Sequence, residues 1–275
     1  MSPTPIALGF VVNDVATEQD NYTTIRLARR ACARGHRVAI IGLGDFTYDA
    51  TGCVRASACI PQRSDYADDA GLLAELQGEG ATRERISVED LDVLMLRSDP
   101  AEELESRPWA PNSALLFAQL VAARHVIVLN DPTRLTDASN KTYFQHFPEE
   151  LRPETCITLD PDEIKSFIAA HDGYGVIKPL QGSGGQSVFV VTPESGANLN
   201  QMIDAVVRDG MYFAGLDIVG DRMMEINVDT PGGINMIEEL TGVDFSGHII
   251  ADLERKVRLR DQYNRTLGNV ELAML

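Results

Sequence analysis

The chain has 275 residues, 44% hydrophobic and 24% charged, so a sizeable core is expected and neither a disordered chain nor a small stapled scaffold fits. Lys plus Arg number 24 against 41 for Asp plus Glu; the net charge of −17 opposes general affinity for nucleic acid or anionic membranes but allows a local basic pocket for a phosphate ligand. No basic segment precedes the short apolar run 6–12, no run reaches membrane-spanning length, and Cys32, Cys53, Cys59 and Cys156 lack C-x-x-C spacing, which points to free thiols in a cytoplasmic protein.

In chain order, Ile6 to Val12 reads as a buried strand, and Tyr22 to Arg34 as a helix with Ile25, Ala28 and Cys32 on one face and Gly35 as its stop. Arg37 to Ile41 is the next buried strand, so the chain opens with a strand–helix–strand unit of a parallel sheet. Strands and turns are expected over 45–60, and a polar surface loop or helix over 64–85. Val93 to Leu96 is a strand, Asn112 to Arg124 a helix and Val126 to Leu129 a strand, followed by the turn signal Asn130-Asp131-Pro132. These elements predict an α/β domain over 1–130 and a second domain over 131–275.

The second part opens with a polar helix around Asp137 to Phe147, a short strand from Cys156 to Leu159 and a helix from Asp162 to His171. A strand at 175–180, a Gly-rich loop at 181–186, a strand at 187–191 and a helix at 198–208 follow. Tyr212 to Val219 and Met223 to Val228 then pair across Gly220-Asp221. Residues 260–275 read as a surface tail.

Two clusters stand out chemically. Lys178 leaves a strand just before Gly182-Ser183-Gly184-Gly185, where glycines let backbone N–H groups approach a phosphate and the lysine adds a point charge. An ordinary hairpin loop is the alternative, and neither the Walker A nor the G-x-G-x-x-G pattern occurs in this loop. Glu225 and Asn227 lie two apart on a strand, with Asp217 on its neighbour; these are hard oxygen donors suited to Mg²⁺, or else a solvated strand face. Arg97 ends a strand before Ser98-Asp99-Pro100, placed to clamp a carboxylate or to make a surface ion pair. Lys141 lies in a polar helix, and Pro231-Gly232-Gly233 is a tight turn or a backbone-lined anion site.

The blocks 92–100, 130–141, 177–185 and 215–227, in that order, resemble bacterial glutathione synthetase, a member of the ATP-grasp superfamily. The resemblance implies a Rossmann-like domain followed by an ATP-grasp domain, and an ATP- and Mg²⁺-dependent ligase joining γ-glutamylcysteine and glycine through an acyl phosphate. It implies Lys141 and Lys178 as ATP-phosphate lysines, Gly182, Ser183, Gly184 and Gly185 as the phosphate-covering loop, and Asp217, Glu225 and Asn227 as magnesium ligands. Arg97 and Pro231-Gly232-Gly233 look like substrate contacts, with Arg97 and Lys178 as the catalytic pair. The partners it implies are small molecules and further copies of the chain.

One departure marks this sequence. After Arg208-Asp209-Gly210 the family continues through an adenine hinge, a Lys-Arg strand and a Gly/Arg-rich lid, whereas here Gly210 runs almost directly into the strand at 212–219. A segment of about 50–100 residues, the size of a small subdomain, is absent. A degenerate homologue that binds dipeptide or nucleotide without turnover is therefore the alternative.

Overall fold

The computed structural model describes residues 4–103, 106–138 and 141–158, positions 163, 166, 167, 170 and 171, the strands 215–219 and 222–227, and residues 230–275. Strand β1 (Ala7–Val12) is central, flanked in parallel by β2 (Arg37–Tyr48) and β5 (Val93–Leu96), with Leu8 in register with Val38 and Val93. β6 (Ile127–Leu129) extends the β5 side in parallel. β3 (Val54–Cys59) and β4 (Arg83–Ser87) extend the β2 side antiparallel, giving the order β4-β3-β2-β1-β5-β6. The second strand runs well past the expected Ile41, through a register irregularity between Ile41 and Phe46.

Both faces of the central strands are covered, which is why they read as continuous apolar runs. On one face Leu8, Phe10 and Val12 join α1 (Thr23–Ala33) and α2 (Asp69–Gln77) through Ile25, Ala28, Leu72 and Leu76. On the other, Val11 and Ile41 pack with Ala114, Ala118 and Val121 of α3 (Ala110–Ala122). Gly35 takes φ 81°, and its N–H donates to the Cys32 carbonyl at 2.8 Å while His36 N–H donates to Ala31 at 3.1 Å, closing α1 as the sequence predicts.

The stretch 64–85 is more buried than a surface segment: Tyr66, Leu72 and Leu76 enter the core. The helix expected around 137–147 resolves into α4 (Pro132–Asp137), capped by the Asp131 carboxylate, and a 3-10 turn at Lys141–His146 that buries Tyr143. The strand expected from Cys156 does not form over 156–158, where Cys156 and Ile157 are exposed and no described strand pairs with them. Positions 163, 166, 167 and 170 are helical, as the spacing predicts.

The largest difference is at the C-terminus. Residues 260–275 are not a loose tail: α5 (Ile234–Thr241), α6 (Phe245–Gln262) and α7 (Asn269–Met274) pack on the sheet domain. Ile250, Leu253, Val257 and Leu272 join the apolar layer that contains Leu8 and Ile25. Around them Glu254 pairs with Arg34 and with buried His36, whose Nε2 lies 2.8 Å away. Arg260 reaches Asp92 at 2.7 Å, and Lys256 Nζ donates to the Leu272 and Ala273 carbonyls at 2.9 and 3.0 Å. The edge of β6 is closed by a side chain: Asn269 Oδ1 accepts from Val128 N–H at 2.7 Å and its Nδ2 donates to the Val128 carbonyl at 2.8 Å, as a neighbouring strand would. β7 (Gly215–Val219) and β8 (Arg222–Asn227) form a separate antiparallel pair.

Candidate functional site

The chain leaves β1 toward β2 on one side and returns to β5 on the other, so the carboxyl ends of β1 and β5 form a topological switch point, where open α/β sheets bind ligands. Asn13 follows β1 and Arg97 follows β5. Asn13 ties the two ends together: its Oδ1 accepts from Asp99 N–H at 2.7 Å and its Nδ2 donates to the Asp99 carbonyl at 2.8 Å and to Glu103 at 3.2 Å. Hydrogen bonds from Arg107, Ser106 and Asn13 hold the Glu103 carboxyl below the usual carboxylate range despite its burial.

Arg97 is buried, 6% exposed, which removes the surface ion-pair alternative. Its Nη2 donates to the Pro231 carbonyl at 2.7 Å and its Nε to Thr24 Oγ1 at 3.3 Å, at the start of α1. Two sequence candidates separated by more than a hundred residues thus meet at one edge. Gly233 follows with φ 82°, a left-handed conformation that suits glycine and turns the chain into α5.

The same edge holds polar oxygens that lack partners among the described residues: Glu18 Oε2, Thr23 Oγ1 and Asn235 Oδ1. Burial pushes the Glu18 carboxyl up to about 7, against the downward pull of the Arg97 charge and with a smaller push from Glu102. Glu102 is itself raised, by burial first and then by Asp99 and Glu103. Tyr22, which precedes α1 without a side-chain cap, is raised by burial and by Glu102, Glu18 and Asp99. Arg97 therefore sits among otherwise acidic groups.

Sequence reasoning missed Asn13, Glu18, Thr23 and Thr24. Their signal was positional, since Asn13 and Glu18 lie between the first strand and the first helix and Thr23 and Thr24 in the first turn of that helix, but none belongs to a recognisable motif.

The remaining candidates fall elsewhere. Lys178, Gly182, Ser183, Gly184 and Gly185 lie outside the described residues, and Lys141 opens the 3-10 turn after α4. The β7–β8 register sets Asp217 opposite Glu225 and Asn227 opposite Gly215, so the three proposed oxygen donors occupy neighbouring positions on one hairpin. Among the described residues no group of three or more His, Cys, Asp or Glu gathers to hold a metal, and no helix is long and apolar enough to cross a membrane.

Comparison with known proteins covers both halves. The prokaryotic glutathione synthetase N-terminal domain matches residues 6–136, and the prokaryotic glutathione synthetase ATP-grasp domain matches 140–209 and again 202–242. A glutathione synthetase of Rhodopseudomonas palustris is 31% identical over 309 residues, covering 85% of this chain and 93% of the relative. That of Gloeobacter violaceus is 25% identical over 320 residues, covering 88% and 94%. Both alignments are longer than the 275-residue chain, and the ATP-grasp match breaks into two pieces that share 202–209, as an internal shortening beside Arg208-Asp209-Gly210 requires. A solved structure of the ATP-grasp ligase PsnB complexed with minimal precursor, Mg and ADP superposes with a TM-score of 0.54 at 15% identity, covering 91% of this chain and 98% of that one. At that identity the likeness speaks for the fold: a Rossmann-like α/β part followed by a shortened ATP-grasp part.

Proposed function

Because the chain belongs to the prokaryotic glutathione synthetase family, an ATP-dependent ligase family, we propose that it joins γ-glutamylcysteine to glycine at the expense of ATP. The observation that carries this reading is the ordered match of both family domains across residues 6–242. The meeting of Arg97 with Pro231 at the switch point supports it.

In this reading the cysteinyl carboxylate of the dipeptide attacks the γ-phosphorus of ATP and ADP leaves. The glycine amine then adds to the acyl carbon, phosphate departs, and the amine proton passes to solvent. Lys141 and Lys178 hold ATP phosphates, with Lys178 also acting at the transferring group and Gly182, Ser183, Gly184 and Gly185 serving as the phosphate-covering loop. Asp217, Glu225 and Asn227 would hold Mg²⁺, which when bound neutralises charge on the transferring phosphoryl group. Arg97, fixed by Pro231 and Thr24, presents a rigid guanidinium to the substrate beside Gly232 and Gly233.

The test is ADP release that requires both γ-glutamylcysteine and glycine. Glu225→Ala is expected to abolish it, and unchanged turnover would remove Glu225 from the metal set. The broken match at 202–209 favours a second reading, a homologue that binds dipeptide without turnover. Calorimetric titration separates the two: micromolar ATP–Mg²⁺ binding supports the ligase, and dipeptide binding without nucleotide binding supports the second.

A further inference from the structure

A cleft of about 450 Å³ opens at the β6 edge of the sheet, between the end of α3, residues 131–133 and the connection from α6 to α7. Small-molecule sites commonly occupy roughly 300–1,000 Å³. None of Asn13, Glu18, Arg97 and Pro231 lines this cleft, so it is separate from the switch point. Its apolar surface comes from Ala122, Ala123, Val126, Leu267 and Leu272, and its titratable groups are His125, Asp131, Arg260 and Arg265.

Two of these four groups are already matched. The Asp131 carboxylate accepts from the Thr133 and Arg134 amides at 3.1 Å each and from Asn269 Nδ2 at 2.8 Å. Arg260 donates to the Asp92 carboxylate at 2.7 Å and to the Asp92 and His125 carbonyls at 3.2 and 3.3 Å. The other two are not. Arg265 has one loose, exposed pair, with Asp261 at 3.8 Å. His125 is held through its backbone, its carbonyl by Arg260 and its N–H by the Ala122 carbonyl, and its ring has no partner among the described residues. In a chain of net charge −17, the charge left over in this cleft is positive.

The backbone adds a second observation. α1 and α5 end on left-handed glycines, Gly35 and Gly242, the usual choice at such a position. After α3 and α6 the left-handed residues are instead His125 at φ 71°, and Asn264 and Arg265 at φ 51° and 59°. These are the non-glycine residues of positive φ among the described residues, and His125 and Arg265 both line the cleft. Arg260 fixes both turns: its Nη1 donates to the His125 carbonyl, and its own carbonyl accepts from Arg265 N–H at 2.8 Å. Keeping a side chain where glycine would relieve the backbone points to a use for that side chain.

We propose that the cleft at the β6 edge binds a small organic anion, its carboxylate or phosphate held by Arg265 and His125 and its apolar body lying along Ala122, Ala123, Leu267 and Leu272. The bound anion joins the end of α3 to the α6–α7 connection and so ties the C-terminal helices to the sheet. The site does not depend on the ligase reading.

The experiment is calorimetric titration of the full chain with 1-naphthyl phosphate, 1-naphthoate, 1-naphthol and inorganic phosphate, with and without saturating ATP–Mg²⁺. At least one naphthyl anion is expected to bind with Kd on the order of 1 mM or tighter, and the tighter of the two identifies the headgroup. Naphthol and inorganic phosphate each lack half of the ligand and are expected to bind roughly 10- to 100-fold more weakly. ATP–Mg²⁺ is expected not to displace the anion. Arg265→Gly and His125→Gly are expected to lose a similar factor in affinity yet to melt no earlier than wild type, since glycine suits both backbone positions. Ala123→Glu, which brings a negative charge to the apolar wall, is expected to abolish binding. Failure of both naphthyl anions to bind, naphthol binding as tightly as they do, displacement by ATP–Mg²⁺, or wild-type affinity in Arg265→Gly overturns the site. Each of these results leaves the ligase reading standing, and a protein without ligase activity that still binds the anion leaves this site standing.

Discussion

Two buried polar regions sit on the same sheet and are finished differently. Where α6 and α7 dock, Glu254 is matched by Arg34 and His36, Lys256 by the Leu272 and Ala273 carbonyls, and Asn269 by both backbone groups of Val128. At the carboxyl ends of β1 and β5, by contrast, Glu18, Thr23 and Asn235 each keep a buried oxygen without a partner among the described residues. The two regions resemble one another in burial and composition. What separates them is completion: the first has the partners it needs within the chain, and the second leaves buried oxygens without partners among the described residues. A buried charge is informative about function when the fold leaves it unmatched.

Substitution should affect the two regions in opposite directions. The largest expected effect is in the docked region. Glu254→Ala strands buried His36 and removes the Arg34 partner, so a loss of about 3–5 kcal/mol is expected in chemical denaturation. Hydrogen exchange should show the protection loss concentrated in α6 and α7, and uniform loss across the sheet would mean that these helices do not depend on the clamp.

The switch-point edge should behave in the reverse sense. Glu18 carries a folded-state value of about 7 against 4.5 for an unperturbed carboxyl, so the folded state holds its proton more tightly than the unfolded chain. Stability from this group is therefore full below about pH 4.5 and is lost as pH rises toward 7, by about 3 kcal/mol. Glu18→Gln should flatten that decline and leave the protein more stable than wild type near pH 7. The check is thermal melting across pH 4.5 to 7; parallel wild-type and variant curves would contradict a buried, unmatched carboxyl.

The smallest effect belongs to the sheet edge. Asn269→Ala leaves both Val128 backbone groups without their side-chain partner, at a cost of about 1–2 kcal/mol. Faster exchange of the Val128 amide would confirm the local cause.

Much of the sheet was readable in advance because its information is local. Residues 93–96 and 126–129 are apolar runs between polar neighbours, and Gly35 marks the end of α1 where a left-handed residue is required. Pairing of 215–219 with 222–227 followed from two short runs around a Gly-Asp turn. Over 156–158 the expected strand is absent for a related reason: a short run such as Cys-Ile-Thr does not specify a strand without a neighbour to pair with. The C-terminal helices failed differently. Residues 260–275 read as a surface tail because no motif or long apolar run marks them, and the buried charges of α6, Glu254 and Arg260, are matched by groups far away in the sequence.

The candidate site divides in the same way. Arg97 and Pro231-Gly232-Gly233 were singled out separately by strand-end position and turn composition, and the fold joins them through one hydrogen bond. Glu18 carried no motif and was passed over.

Sequence alone therefore determined the strand and helix positions of the parallel sheet, the family blocks in their order and the break beside Gly210, because each is written in contiguous residues. Only the tertiary structure decided that the C-terminal helices close the β6 edge, that Arg97 and Pro231 share a site, and that Glu18 lies buried and unmatched beside them. The physical reason is that the energy of a buried polar group is set by its partners, and here those partners lie as far off as Glu254 from His36, 218 residues along the chain.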